Sequence, residues 1–348
     1  MALFDNMTGE NLFLNPVFLD YDFQPKLVPF RENQQHYIAG CIKPLFQNRN
    51  GKNLLITGKP GVGKTVSLKN VLIELNDKTE DIFCIYINCW KKDTFFKIIC
   101  DICSQIGYKF IQNKRADELM QEAARILNEK SAVIVLDEAD KLEDQGIIYS
   151  LLEDINRKCV FLITNEDDFL VNLDSRVKSR LMPELMEFKP YNFEQTRNIL
   201  DKRANYAFVN NCLEKDAFNL IADKCFEFGD IRTGLFLMKE SGDLAELENS
   251  NKILLKHAEK AINNIALFQK RSVKSFEESD KSILDIIKES SGKTTADIFE
   301  DYKNSGGSKS YRTFQRKIKD FDNSGLISLE ENMAGGKSNI VRFGKVEI

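Results

Sequence analysis

The chain has 348 residues, too many for one domain of roughly 100–200 residues and enough for two or three. Hydrophobic residues make up 43%, charged residues 29%, and the net charge is −4, a balance typical of soluble globular chains that excludes a protein coated throughout for nucleic-acid binding. Met1–Pro16 carries no basic segment followed by a long apolar run, and no apolar stretch approaches the roughly 18–20 residues that span a bilayer. A cytoplasmic location without signal peptide or membrane partner is therefore expected.

Taken in chain order, residues 53–188 alternate short apolar runs with amphipathic segments. The runs Asn53–Thr57, Ile82–Ile87, Ala132–Leu136, Cys159–Ile163 and Leu185–Phe188 read as strands buried on both faces. Helical patterns between them, beginning with Lys64–Glu74, predict a parallel α/β sheet. After Pro190 the pattern turns helical: Asn192–Phe208, Glu214–Phe226, Ile231–Glu246 and Asn251–Ala266. Phe228, Gly229 and Asp230 read as a break and an N-cap before the third of these. Lys270–Asp280 is charged and reads as a linker. Three short helical patterns follow from about Lys281, then strand-like Leu326–Leu329 and Ile340–Phe343 around the turn-rich Met333–Asn339. The expected domains are 1–189, 190–268 and 269–348.

Eight cysteines are scattered, mostly inside apolar runs. Cys100 and Cys103 form a CxxC, but Cys84 and Cys89 are too far apart to supply a second ligand pair, and the histidines are His36 and His257. Buried, reduced cysteine is the reading preferred over zinc.

Gly58-Lys-Pro-Gly-Val-Gly-Lys-Thr65 matches the P-loop pattern GxxxxGK[ST] in full, between a strand and a helix. Its glycines let the backbone curl round phosphate at a helix N-terminus, which points free N–H groups at the anion. Gly58, Pro60, Gly61, Val62, Gly63, Lys64, Thr65 and Val66 are the nucleotide candidates, with Lys64 reaching the β- and γ-phosphates and the Thr65 hydroxyl ligating Mg²⁺. Val133–Asp140 ends an apolar strand in Asp137-Glu138, placing two carboxylates at the sheet's edge. Asp137 would help hold Mg²⁺, and Glu138 would orient or deprotonate the attacking water. Asn165 ends the next strand, where its amide either positions water or γ-phosphate or caps the segment that follows.

These residues resemble the AAA+ ATPases, and most of all the archaeal origin-recognition and helicase-loading initiators, relatives of the eukaryotic origin recognition complex. The resemblance runs from about Phe18 to Phe343. It implies an adenine pocket at Val28, Pro29 and Arg31 in Leu27–Asn33, and a sensor 1 at Ile163-Thr-Asn165. It implies an arginine finger in Leu173–Leu181, best matched by Arg176 and second by Arg180, acting on a neighbouring subunit's nucleotide. Phe228–Leu235 is similar to the family's sensor 2, with Arg232 reaching the nucleotide from the lid; Tyr191 and Arg203 match nucleotide-contacting positions more loosely. Asn88–Glu129 carries the extra helices that touch DNA in the family, but Tyr108–Asp117 lacks the family's proline- and glycine-containing stretch. The implied fold is an AAA+ base, a helical lid and a C-terminal winged-helix domain. The implied partners are double-stranded origin DNA, the replicative helicase and other initiator subunits, with ATP or ADP and Mg²⁺ as ligands, slow switch-like hydrolysis and a place on the nucleoid.

Ser308–Lys319 holds five basic residues and no acidic one. Tyr311, Phe314 and Ile318 recur at helical spacing and are expected to pack inward, leaving Lys309, Arg312, Arg316 and Lys319 outward, as a recognition helix requires. Lys337, in the glycine-rich tip, is a further phosphate-contact candidate. The same helix would also suit a signalling or regulatory AAA+ protein whose last domain binds protein, and clamp loaders or transposon-type remodellers share the sensor motifs.

Overall fold

The computed structural model describes residues 11–274, 278–307, 309–323, 327–331 and 339–343. The chain divides into two compact units, Met1–Ile262 and Asn263–Ile348.

The first unit opens with alternating elements: α1 (Glu32–Ile42), β1 (Leu54–Thr57), α2 (Lys64–Lys78), β2 (Ile82–Asn88), α3 (Phe95–Gln105), α4 (Ala116–Leu127), β3 (Ser131–Asp137), α5 (Gly146–Asp154), β4 (Lys158–Ile163), α6 (Phe169–Asn172), α7 (Ser175–Leu181) and β5 (Glu184–Glu187). The strands form one parallel sheet in the order β2-β3-β4-β1-β5. Each expected strand is present, its ends shifted by at most one residue. Every residue of the central β3 is buried, because helices cover both faces. Ala132, Ile134 and Leu136 pack with Ile98, Leu119 and Leu151 on one side. The alternate residues Val133 and Val135 pack with Ile38 and Leu68 on the other. Each such side chain taken fully from water contributes about 1.5–3 kcal/mol.

The four-helix segment that follows comprises α8 (Phe193–Ala207), α9 (Lys215–Phe228), α10 (Ile231–Leu247) and α11 (Leu255–Lys274). Asn192 starts α8 through a capping box with Gln195, the two bonds being 2.9 and 3.1 Å. Gly229 ends α9 in the left-handed conformation, and the Asp230 carboxylate caps α10. The expected linker at Lys270–Asp280 is instead helical through Lys274, and α12 (Glu278–Glu289) begins soon after. The segment is charged but holds no glycine or proline, and lysine, arginine and glutamate are good helix formers, so polarity alone did not end α11 before Lys274. Residues 262 and 268, the unit division and the expected domain boundary, both fall inside α11.

The N-terminal segment ties the base to the lid. Leu14 donates its N–H to Ala207 O at 2.8 Å, and Phe13 and Phe18 lie against Phe208 and Tyr206. Further along, Gln24 Nε2 donates to Val66 O at 2.8 Å, and Asn70 Nδ2 donates to Pro25 O at 2.9 Å.

In the second unit α12 is followed by α13 (Thr295–Asn304), α14 (Tyr311–Asn323) and the antiparallel pair β6 (Ile327–Glu331) and β7 (Asn339–Phe343). Ile283, Ile287, Ile298, Phe314, Ile318, Phe321 and Val341 form its core. Thr294 caps α13 and bridges to Ile340, so the turn between α12 and α13 is fixed to β7. Tyr311 does not join the core as expected: it is 41% exposed and meets Phe299 edge-on, while Phe321 fills the third inward position. Tyr311 is the first residue of α14, where the helix end opens to solvent, whereas Phe321 lies nearly three turns further along and is fully buried. Leu326 and the tip residue Lys337 lie outside the described residues. Among the described residues no helix is long and apolar enough to cross a membrane.

Candidate nucleotide site

Three strand ends come together because β3, β4 and β1 are neighbours in the sheet. β1 runs into the P-loop, β3 ends at Asp137, and β4 is followed by Thr164 and Asn165. This is the carboxyl edge at which open parallel sheets bind ligands. Gly61 and Gly63 take φ of +76° and +93°, so the loop curls under the first turn of α2. A Cβ on Gly63 would stand 2.8 Å from the Tyr191 hydroxyl, so only glycine lets that ring close over the loop.

Lys64 is 7% exposed. Its ammonium donates to the carbonyls of Gly58 and Lys59 and, at 2.8 Å, to Asn165 Oδ1. Burial pushes its pKa down to about 8, against the opposing pull of Asp137. Thr65 Oγ1 donates to Asp137 Oδ2 at 2.7 Å, and the Tyr86 hydroxyl donates to the same oxygen at 2.6 Å. A hydroxyl and a carboxylate side by side are the hard oxygen donors that Mg²⁺ takes. Glu138 follows in the left-handed conformation, φ 55°, a strained backbone for a residue with a side chain. Burial first, then the charges of Asp137 and Asp140, raises its carboxyl pKa above the ordinary value.

The lid meets the loop directly. Arg232 holds Asp230 with bonds of 2.8–3.1 Å, and its charge reaches both Lys64 and Glu138. Arg31, 5% exposed, donates to Val62 O at 3.0 Å and to Lys189 O at 2.6 Å, with its guanidinium 4.0 Å from the Tyr191 ring centre. Arg31 is thus a buried clamp joining the N-terminal segment, the P-loop and the start of the lid, beside buried Val28 and half-buried Pro29. Arg203 turns to the N-terminal strap, donating to Phe18 O at 3.2 Å over the Phe23 ring.

Comparison with known proteins agrees with this layout. Residues 47–171 match the family described as AAA domain, and residues 197–263 match the Cdc6 AAA+ ATPase-type lid domain. The ORC1-type DNA replication protein 1 of Archaeoglobus fulgidus is 30% identical over 99% of this chain and 89% of its own length. That of Methanocorpusculum labreanum is 33% identical over 76% and 68%. The chain belongs to the ORC1-type DNA replication proteins. Among solved structures, the Aeropyrum pernix ORC1 protein in complex with DNA superposes with a TM-score of 0.73 at 25% identity, covering 96% of this chain and 94% of that one. The A. pernix ORC2 protein in its ADPNP–ADP complexes shares the fold, with a TM-score of 0.66 at 16% identity.

The two arginine-finger candidates of this ORC1-type chain differ in their surroundings. Arg180 is held within the subunit by Glu153 and lies 5.0 Å from the Tyr149 ring centre. Arg176 is 81% exposed and touches Asp174 at 3.3 Å. In the second unit Arg312, Arg316 and Lys319 are exposed on α14, and Lys309 is half-buried just before it. The CxxC is split by its helix: Cys103 is buried and Cys100 partly so, both as free thiols. Tyr86 was not singled out from sequence, and Thr164 only as the middle of the sensor 1 stretch; the available signal was a hydroxyl near the carboxyl end of an otherwise apolar strand.

Proposed function

We propose that this ORC1-type chain is an ATP-dependent replication initiator that binds origin duplex DNA and helps recruit or load the replicative helicase. The carrying observation is the likeness, over nearly the full chain, to the A. pernix ORC1 protein in complex with DNA; it is supported by the contacts of Lys64 with Asn165 and of Thr65 with Asp137 beside the P-loop. In this reading Gly58, Pro60, Gly61, Val62, Gly63 and Val66 wrap the phosphates. Val28, Pro29 and Tyr191 line the base side, and Arg31 holds that wall in place. Arg203 acts at one remove, by anchoring the strap. Thr65 and Asp137 would hold Mg²⁺, which would supply neutralisation of phosphate charge.

Lys64 exchanges its carbonyl partners for phosphate oxygens. Glu138, its pKa raised above the ordinary carboxyl value, takes a proton from the attacking water, and Asn165 holds that water or the γ-phosphate. Arg232 leaves Asp230 for the phosphates, coupling the lid to nucleotide. Arg176, exposed and lightly held, serves the site of an adjacent initiator subunit. The three helices and antiparallel pair of the second unit act as a winged helix. Lys309, Arg312, Arg316, Lys319 and Lys337 meet phosphates and groove edges, and so keep the protein on the nucleoid.

The deciding experiment is a gel shift of duplex DNA over a series of salt concentrations. Phosphate contacts require affinity to fall steeply and linearly on logarithmic axes. Absent or salt-independent binding would instead favour a regulatory AAA+ protein whose last domain binds protein.

A further inference from the structure

We propose that Asp140 and Thr164 are positioning residues that fix the spacing between Glu138 and Asn165 around the γ-phosphate, an assignment that rests on the ATPase reading above. The Thr164 hydroxyl donates to Asp140 Oδ1 at 2.9 Å and accepts the Glu166 N–H at 3.0 Å. The Thr164 N–H donates to Ile56 O at 3.0 Å, so the residue is fixed by backbone and side chain together. Thr164 is fully buried, and the Asp140 side chain is 1% exposed. Lys141 Nζ closes on Asp140 Oδ2 at 2.6 Å.

These contacts join two segments that approach the phosphate separately. Glu138 and Asp140 ride on the tight turn that ends β3, closed by Lys141 N–H to Glu138 O at 2.9 Å. Asn165 rides on the end of β4, next to Thr164, and faces Lys64. A hydroxyl–carboxylate bond between the turns therefore sets how far the two side chains stand apart, and small misplacements of reacting groups cost large factors in rate. A buried carboxylate is tolerated only when it is paired and hydrogen-bonded. Burial by itself would raise the Asp140 carboxyl, and the bonds from Lys141 and Thr164 outweigh it, leaving its pKa below the usual value.

The test uses the full chain with Thr164→Val, Thr164→Ser, Asp140→Asn and Glu138→Gln, measuring nucleotide affinity, single-turnover hydrolysis and melting. Thr164→Val is expected to lower the hydrolysis rate by roughly tenfold or more with wild-type nucleotide affinity, and Thr164→Ser to restore it. Asp140→Asn weakens the acceptor of the Thr164 hydroxyl and is expected to lower hydrolysis in the same direction as Thr164→Val. A wild-type rate for Thr164→Val, or a loss that Ser does not rescue, overturns the proposal. Should Asp140→Asn fail to fold, the Val and Ser pair still decides. Turnover that Glu138→Gln abolishes upholds the ATPase reading whichever way Thr164→Val falls, and a wild type without turnover sinks both.

Discussion

Asp230 of the lid rests against Gly61 of the P-loop, so closely that a Cβ on Gly61 would stand 1.9 Å from the Asp230 carboxylate oxygen. The same carboxylate caps α10 and grips Arg232. Gly61→Ala therefore meets two penalties, a left-handed backbone at φ +76° and a collision with the lid. The backbone strain alone is of the order of 1–3 kcal/mol. Lowered nucleotide affinity and a lower melting temperature are expected. Unchanged affinity in a fluorescent-nucleotide titration would show that the lid does not close through this contact.

Lys64 gives nucleotide affinity a defined pH dependence. Its pKa in the free protein lies at about 8, and a bound polyphosphate favours the charged form and raises it. Between the free and bound values binding takes up a proton, so affinity should weaken as pH rises above about 8 and be insensitive to Lys64 below it. Calorimetry in two buffers of different ionisation enthalpy reads the proton uptake. Equal heats in the two buffers at pH ~9, above the free-protein pKa, would remove Lys64 from this role.

Lys64→Ala and Glu138→Gln separate binding from chemistry. The first removes the ammonium that meets the phosphates and should abolish ATP binding. The second is nearly isosteric and removes the base, so binding should persist while turnover stops, a loss of roughly 10²–10⁴-fold for general-base catalysis. Retained hydrolysis in Glu138→Gln would take that residue out of the mechanism.

Arg176 and Arg180 should behave differently. Arg180→Ala breaks an intrasubunit pair with Glu153 and should cost about 0.2–1 kcal/mol of stability, the usual value for an exposed ion pair. Arg176→Ala should leave melting unchanged and affect hydrolysis only where subunits meet on DNA. If the isolated monomer loses hydrolysis with Arg176→Ala, its action in trans is wrong.

Arg312→Ala with Arg316→Ala tests the basic face of α14. Both side chains are exposed while Phe314 and Ile318 hold the core, so the fold should survive. The salt dependence of DNA binding should become shallower by about 0.9 in log–log slope for every phosphate that an arginine no longer neutralises. ATP affinity should not move, and a double variant with the wild-type slope would exclude this face.

The parallel sheet was legible because strands buried on both faces must be short apolar runs, as in Val133–Leu136, and helices between them force parallel pairing. The loop Gly58–Thr65 and the strand ending in Asp137 were legible because each is a pattern of residue types at fixed local spacing, and the structure brings Thr65 and Asp137 together. The α10 cap was legible for the same reason, since Gly229 and Asp230 act on their own neighbours. The helix expected over Asn251–Ala266 was legible, but its continuation to Lys274 was not, since nothing local distinguishes a charged linker from a charged helix.

Whatever neighbouring residues settle between themselves could thus be read along the chain: the strands, the phosphate loop, the caps and the basic face of α14. Folding in three dimensions was needed to show that Arg31 bridges the strap, the loop and the lid, that Tyr86 and Thr65 share one oxygen of Asp137, and that Arg180 is occupied while Arg176 is exposed. Those pairings join residues 27 to 158 positions apart. Their partners are set by strand order and lid docking, which no local spacing of residues encodes.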